Sequence, residues 1–338
     1  MELSLVHWHI ELSSICTLKC PRCPRAEVPE TLLNRQLTLS FFKEQISVKT
    51  IQKIKRITFC GNDGDPIYCK DFLEICKWIK EVNPTICLVI ITNGSHKKED
   101  WWEELASTLN ANDELHFSVD GWDQQSNELY RVNSDYVSIV NGIKTFRKFN
   151  TDTYLVWAAI AFKFNEDKID VLKHGAKHLG FDCFQLTLST KFGSKYPGSY
   201  GTNDLLEPSL QYVSSGHRFE RVETIISNKK RYSNEIKEIY RNILEGLNDP
   251  KLCFVGNKGV FLNSHGEFYP CCWVATRYEH NSAWLELGKT KFNLYNNTFE
   301  EVIANEFWQN DFLKFNSTEC KTKCTNNSSK GDDFLLNW

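Results

Sequence analysis

Cys16, Cys20 and Cys23 stand near the start of the chain in the spacing C-x3-C-x2-C. Thiolates are soft ligands, suited to zinc or to iron–sulfur clusters. Three of them hold three irons of a four-iron cluster and leave the fourth iron open to a small molecule. Electron-transfer clusters ordinarily use four cysteines, so a set of three points to chemistry at the open iron. The competing reading is a zinc ion completed by a distant histidine. A second group, Cys253, Cys271, Cys272, Cys320 and Cys324, occupies the last quarter of the sequence. Gly266-Glu-Phe-Tyr-Pro-Cys271 is a G-x4-C element there, and Cys320-Lys-Thr-Lys-Cys324 is C-x3-C. A zinc knuckle is the alternative for this group.

The elements that must position these cysteines are legible as alternating periods. Six apolar, β-branched or aromatic runs read as strands: His7–Leu12, Arg56–Cys60, Ile86–Thr92, Glu114–Val119, Tyr154–Phe162 and Cys183–Ser189. Between them, Leu39–Lys55, Lys70–Glu81, Lys98–Leu109, Tyr136–Lys148 and Glu166–Leu179 have helical spacing. Strand–helix alternation predicts a parallel sheet with right-handed crossovers. Six repeats are too few for a closed eight-fold barrel, so the expected fold is α/β, a partial (β/α)6 TIM-like barrel. In such sheets the site lies at the C-terminal ends of the strands. The loop carrying Cys16, Cys20 and Cys23 follows the first strand and therefore faces the barrel mouth.

Residues 191–250 break the pattern. Phe192–Gly201 reads as a long loop, and Arg218–Ser227 and Ser233–Leu247 as helical stretches. Beyond residue 250, Val260–Leu262 and Glu267–Pro270 form a hairpin pattern across Asn263-Ser-His-Gly266, and Phe299–Leu313 reads as a helix. The expected division is 1–190 for the barrel, 191–250 for a connection and 251–338 for a small α+β iron–sulfur domain.

Composition narrows the class. The chain has 338 residues, 41% hydrophobic and 25% charged, with a formal charge of −3. These values are ordinary for a globular protein, and near-neutrality argues against a broad nucleic-acid footprint. The longest apolar runs are far short of a membrane span. Thirteen cysteines is an odd count in a long chain whose start shows no signal-peptide pattern. The expectation is a reducing cytoplasm, with clustered cysteines as metal ligands. Cys60, Cys69, Cys76, Cys87 and Cys183 read as buried small hydrophobes. His7 and His9 alternate along the first strand and share a face.

The stretch Cys16-Thr-Leu-Lys-Cys-Pro-Arg-Cys-Pro-Arg25 resembles the cluster loop of the radical S-adenosylmethionine superfamily. Further features match in order over residues 7–190. Asp63-Gly-Asp-Pro66 resembles the family's Gly-Gly-Glu-Pro turn at the end of strand two. Ile91-Thr-Asn-Gly94 ends strand three, Phe117-Ser-Val-Asp-Gly121 ends strand four, and Arg131 follows. The resemblance implies a 4Fe–4S cluster on Cys16, Cys20 and Cys23, with S-adenosylmethionine chelated at the open iron. It further implies that Gly64 and Asp65 hold the cosubstrate's amino group and that Asn93 belongs to the same cosubstrate site. Ser118 and Asp120 are implied to bind ribose hydroxyls, and Arg131 to pair with the carboxylate. The bland alternatives are that Asp65 caps the next turn, Asp120-Gly121 is only a turn, and Arg131 is a surface residue. Two features depart from the family: the aspartates at 63 and 65 in the turn, and Arg22 before the third cysteine.

The C-terminal cysteines resemble the extension called SPASM or its shorter relative, twitch. Four ligands, Cys253, Cys271, Cys320 and Cys324, imply one auxiliary 4Fe–4S cluster, with Cys272 able to replace Cys271. The implied activity is reductive cleavage of S-adenosylmethionine to a 5′-deoxyadenosyl radical, which abstracts hydrogen from a substrate C–H bond. A peptide or protein side chain is the leading substrate, and a flavodoxin- or ferredoxin-type protein the reductant. No membrane or nucleic-acid partner is expected. The alternatives are a radical dehydrogenase or epimerase of a sugar, aminocyclitol or nucleotide, and a non-catalytic iron–sulfur electron carrier.

Overall fold

The computed structural model describes residues 6–21, 23–27, 32–188, 204–207, 221–229, 231, 260–272, 274–275 and 287–311. Six strands lie parallel in sequence order: β1 (His7–Ile10), β2 (Arg56–Phe59), β3 (Cys87–Thr92), β4 (Glu114–Ser118), β5 (Tyr154–Ala161) and β6 (Cys183–Leu188). The helices are α1 (Pro24–Glu27), α2 (Leu39–Gln45), α3 (Val48–Lys53), α4 (Phe72–Val82), α5 (Glu99–Thr108), α6 (Gln124–Glu128), α7 (Tyr136–Phe149) and α8 (Ile169–His178). The architecture is the partial (β/α)6 barrel that the alternation predicts.

Side-chain parity explains how one sheet serves two environments. On β1, Trp8 and Ile10 join the apolar core with helix residues such as Phe42, Ile51 and Ile79. His7 and His9 alternate with them, and Glu11 continues the polar row. On β2, Ile57 and Phe59 are core residues while Arg56 and Thr58 alternate with them. The helices carry the matching apolar stripe. Phe72, Leu73, Ile75, Cys76 and Ile79 are the buried face of α4.

Three expectations change. The helical stretch Leu39–Lys55 is two helices, because Ser47 turns out of α2 and caps α3, accepting from Thr50 N at 3.1 Å. The stretch Arg218–Ser227 contains a strand, β7 (Arg221–Ile225), antiparallel to β6. Three of its five residues are β-branched, and β6 offers an open ladder, which outweighs the helix-like charge pattern. Phe299–Leu313 divides into α9 (Phe299–Ala304) and a π-helical turn at Phe307–Asp311. Ser233–Leu247 and Phe192–Gly201 lie outside the described residues.

The hairpin β8 (Val260–Leu262) and β9 (Phe268–Tyr269) forms as expected, with Gly266 at φ +76°. Its placement is new: β8 pairs in parallel with β1. The sheet order is β7-β6-β5-β4-β3-β2-β1-β8-β9. One sheet therefore runs across the expected boundary near residue 250. Trp308 and Phe268 pack in the same core cluster as Trp8.

Candidate active site at the barrel mouth

The loop after β1 is anchored on both sides. Lys19 N donates to Val132 O at 2.9 Å, and Asn133 Nδ2 to Thr17 O at 2.8 Å. Arg25 donates to the carbonyls of Ser14 and Asp63, which ties the loop to the turn after β2. Cys20 is buried, and Cys16 and Cys23 are half-buried, against Leu18, Tyr130, Phe162, Phe164 and Leu206. Burial first, then the Asp65 carboxylate, pushes the Cys16 thiol up to about 12. Burial likewise pushes Cys20 up to about 11, opposed by the Arg131 guanidinium. Such thiols ionise when a cationic group arrives to neutralise them. Among the described residues, no three His, Cys, Asp or Glu side chains converge on one ion position. A single zinc ion needs that convergence. A four-iron cube does not, because each sulfur meets a different iron. The donor set fits a cluster.

The turn at Gly64 is pressed against this loop. A Cβ there would stand 1.8 Å from Ser13 O, so only glycine fits. Asp65 N donates to Ile15 O at 3.0 Å. Glu11 Oε1 accepts from Asp63 N at 2.8 Å and Gly64 N at 3.0 Å. Burial, then the neighbouring Asp63 carboxylate, raises Glu11 to about 8.

Asp65 is buried and already engaged. Oδ1 accepts from Thr92 Oγ1 at 2.8 Å and from Ile67 N at 3.2 Å, the latter capping the Pro66–Tyr68 turn. Oδ2 accepts from Asn93 N at 2.7 Å and Asn93 Nδ2 at 2.6 Å. An ammonium group could use this carboxylate only by displacing a chain donor. Burial raises Asp65 to about 6 against these bonds. Asn93 Nδ2 also lies 3.6 Å from Cys16 Sγ, so Asn93 links strand three, the turn and the cysteine loop.

Ser118 is half-buried at the end of β4. Asp120 is fully buried, with Oδ1 accepting from Ile160 N at 2.6 Å and Oδ2 from Arg131 Nε at 2.6 Å. The carboxylate expected to meet ribose is thus spent on holding Arg131. The Arg131 guanidinium, held by Asp120, in turn favours the Cys20 thiolate by its charge.

The row of β1 side chains meets β2 in three rungs. His7 Nε2 lies 3.0 Å from Thr58 Oγ1, and His9 Nε2 lies 2.7 Å from Cys60 Sγ. Glu11 bonds the Gly64 turn. Cys60 is half-buried and paired, not the buried small hydrophobe its sequence setting suggests. Glu11 was recoverable from sequence through its spacing with residues 7 and 9. At the strand starts, Glu114 meets His116 at 2.7 Å, Arg231 at 3.2 Å and Arg56 at 3.5 Å. Burial alone would raise Glu114; Arg231 and Arg56 instead hold it well below the usual carboxylate range.

Cys271 and Cys272 are buried beside Phe261, Tyr269 and Val274. Asn62 Nδ2 donates to Cys272 O at 3.4 Å, joining this region to the turn after β2. Cys253, Cys320 and Cys324 lie outside the described residues, as does Arg22.

A family model described as Radical SAM superfamily matches residues 10–175, from the end of β1 into α8. A second, SPASM, an iron-sulfur cluster-binding domain, matches residues 253–326. GTP 3′,8-cyclase of Actinobacillus pleuropneumoniae serotype 5b (strain L20) is 26% identical over 147 residues, covering 42% of this chain and 41% of that protein. The enzyme of the same name from Haemophilus ducreyi (strain 35000HP / ATCC 700724) is 24% identical over 172 residues, 50% of this chain and 48% of that protein. The chain thus matches less than half the length of these curated relatives. Streptococcus suis SuiB bound to S-adenosylmethionine superposes with a TM-score of 0.58 at 14% identity, covering 96% of this chain and 71% of that one. A structure of anSMEcpe with bound AdoMet and Cp18Cys peptide gives 0.53 at 17%, covering 95% and 86%. At those identities the likeness speaks to fold. One model covers the barrel from the end of β1 into α8 and the other the C-terminal segment. Residues 10–175 accordingly form a domain of the radical S-adenosylmethionine superfamily, which takes a 4Fe–4S cluster and S-adenosylmethionine as cofactors, and residues 253–326 form an iron-sulfur cluster-binding domain.

Proposed function

We propose that this enzyme starts radical chemistry on a peptide or protein side chain from the cluster loop of Cys16, Cys20 and Cys23. The observation that carries the reading is the linkage of that loop to the Gly64–Asp65 turn. Asn93 Nδ2 spans from Asp65 Oδ2 to Cys16 Sγ, and Arg25 bonds carbonyls of both segments. Cys16, Cys20 and Cys23 would hold the cluster, which would supply the electron for reductive cleavage of S-adenosylmethionine.

The chain's residues position and shield that event. Arg131, fixed by Asp120, offsets the charge of the Cys20 thiolate and keeps its remaining N–H groups for a carboxylate. Gly64 admits close approach of the cysteine loop. Asp65 and Asn93 fix the turn that faces the cosubstrate's amino end, and Ser118 offers a hydroxyl to its ribose. Tyr130, Phe162 and Phe164 exclude water from the thiols. A single auxiliary cluster on Cys253, Cys271, Cys320 and Cys324, with Cys272 as the alternative to Cys271, carries electrons to or from the lumen. The electron donor is a flavodoxin- or ferredoxin-type protein in the cytoplasm.

A peptide substrate is supported by the solved relative that holds one across nearly this whole chain length. A nucleotide is the second reading, favoured by the curated relatives over the barrel half alone. The test is anaerobic reconstitution with iron and sulfide, followed by dithionite and S-adenosylmethionine. 5′-Deoxyadenosine should form in the native protein and be lost in a Cys16→Ala, Cys20→Ala, Cys23→Ala variant. A reducible cluster without 5′-deoxyadenosine would leave the electron-carrier reading in its place.

A further inference from the structure

Gln185 stands on β6 between Phe184 and Leu186, both members of the apolar core that the sheet shares with the helices. Parity therefore turns Gln185 to the opposite face of the sheet, into the barrel lumen. There it is 4% exposed. Its Oε1 is sealed from solvent and has no hydrogen-bond partner. Neither end of the carboxamide makes a hydrogen bond among the described residues. Buried polar groups are nearly always paired, and one left unpaired is costly. A carboxamide of this kind calls for a partner from outside the fold.

Its place says where that partner lies. Gln185 is in register with Ala158 of β5, Ala158 with Ser118 of β4, and Gln185 with Glu223 of β7. Ser118, Ala158 and Ile160 are the half-buried residues of β4 and β5, whose other members are buried. The open part of the lumen therefore lies over these three side chains. Ala158 carries only a methyl group, so β5 puts no long side chain between Ser118 and Gln185.

The chemistry narrows the ligand. A carboxamide accepts at Oε1 and donates at Nε2. Its complement is an N–H beside a C=O, the pair that one residue of an extended peptide presents along one edge. Charge argues against a phosphate at this level. Glu223 stands beside Gln185, and Arg231 is already engaged with Glu223 at 2.6 Å and Glu114 at 3.2 Å.

We propose that Gln185 is a substrate-binding residue that holds the peptide by the backbone of one residue, Oε1 accepting its N–H and Nε2 donating to its C=O. This rests on the peptide reading above and adds how the peptide is held. The contact is to the main chain, so it places a residue beside Ser118 without reading its side chain. It also favours a peptide over a nucleotide.

The test uses reconstituted full-length enzyme with S-adenosylmethionine and a minimal backbone probe, N-acetylglycine N-methylamide. Binding is read from broadening of the probe's methyl proton resonances. A second probe replaces the glycine N–H by an ester oxygen. Native enzyme should bind the amide at least about fivefold more tightly than the ester, since the ester leaves Oε1 unpaired. Gln185→Met keeps the side-chain length and removes its polar end, and should bind the two probes equally. Ala158→Val fills the space beside Gln185 without touching the carboxamide, and should weaken the amide probe as well. Gln185→Met should also raise the urea midpoint of the enzyme without probe, because it removes an unpaired buried group. No binding of the amide to native enzyme, equal binding of amide and ester, or a lowered midpoint overturns the proposal. So does GTP binding that weakens in Gln185→Met while the amide probe is unaffected, which would assign the residue to the nucleotide reading. 5′-Deoxyadenosine formation by native enzyme, measured in parallel, separates the two levels. Its absence overturns the proposed function, whereas its presence with equal binding of the two probes overturns only the role of Gln185.

Discussion

Glycine at 64 is a residue for which no substitute fits, because its Cα stands against the backbone of Ser13 and Ser14. Gly64→Ala must push the cysteine loop from the turn. The expected result is a stability loss of about 1–3 kcal/mol, typical of overpacking, read from a urea midpoint. S-adenosylmethionine affinity should fall with it, by at least about tenfold if 1.4 kcal/mol of that loss falls on binding. Glu11 makes a different prediction. Its folded-state value, about 8, lies above its ordinary 4.5. Its contribution is therefore fully present below pH 4.5 and is lost as pH rises toward 8. Native stability should decline across that window by up to about 1.4 kcal/mol per pH unit from this group. Glu11→Gln should flatten the decline, measured as urea midpoints at pH 5.5 and pH 8. An unchanged slope in the variant would show that Glu11 is ionised in the fold.

Elements hold the site through buried side chains that finish backbone ladders. Asp182 is the clearest, standing just before β6. Its Oδ2 accepts from Leu155 N at 2.8 Å and from the Arg147 guanidinium, while Oδ1 accepts from Ser227 Oγ at 2.7 Å. Asp182→Ala strips α7, β5 and the segment after β7 of a common partner. The expected cost is about 3–5 kcal/mol, since it leaves Arg147 half-buried without its carboxylate. Thermal unfolding of the variant checks this. Strand and helix existence was legible because parity and helical spacing are local. β1 to β6 end within one or two residues of their sequence-predicted limits. β7 was not legible, because what makes Arg221–Ile225 a strand is the open edge of β6, a partner remote in sequence. The same limit applied at the site. The cysteine spacing announced a cluster loop, but Cys60 read as core because its histidine lies 51 positions away. The ribose role of Asp120 came from the family resemblance, and Arg131's demand on the same carboxylate is a tertiary fact that the sequence does not carry.

At the scale of the molecule, the barrel and the C-terminal hairpin share a strand. β1 has β2 on one side and β8 on the other. A chain cut at residue 250 would leave that second edge of β1 unpaired and Trp8 without Phe268 and Phe299. Exposed edges of this kind promote association between chains. The truncated protein should aggregate, or unfold without a sharp transition, whereas a separable domain would leave a soluble barrel. Size-exclusion chromatography and thermal unfolding of the truncation distinguish the two. β1 also has a history as well as a position. The strand that completes its ladder follows it by some 250 residues in the chain, Trp8 pairing with Val260. Pairings this distant are slow to close and leave hydrophobic edges waiting meanwhile. The cysteine loop, which hangs from β1, therefore reaches its final setting only after β8 has been made and paired. Cluster insertion then falls naturally after that pairing, onto a finished sheet.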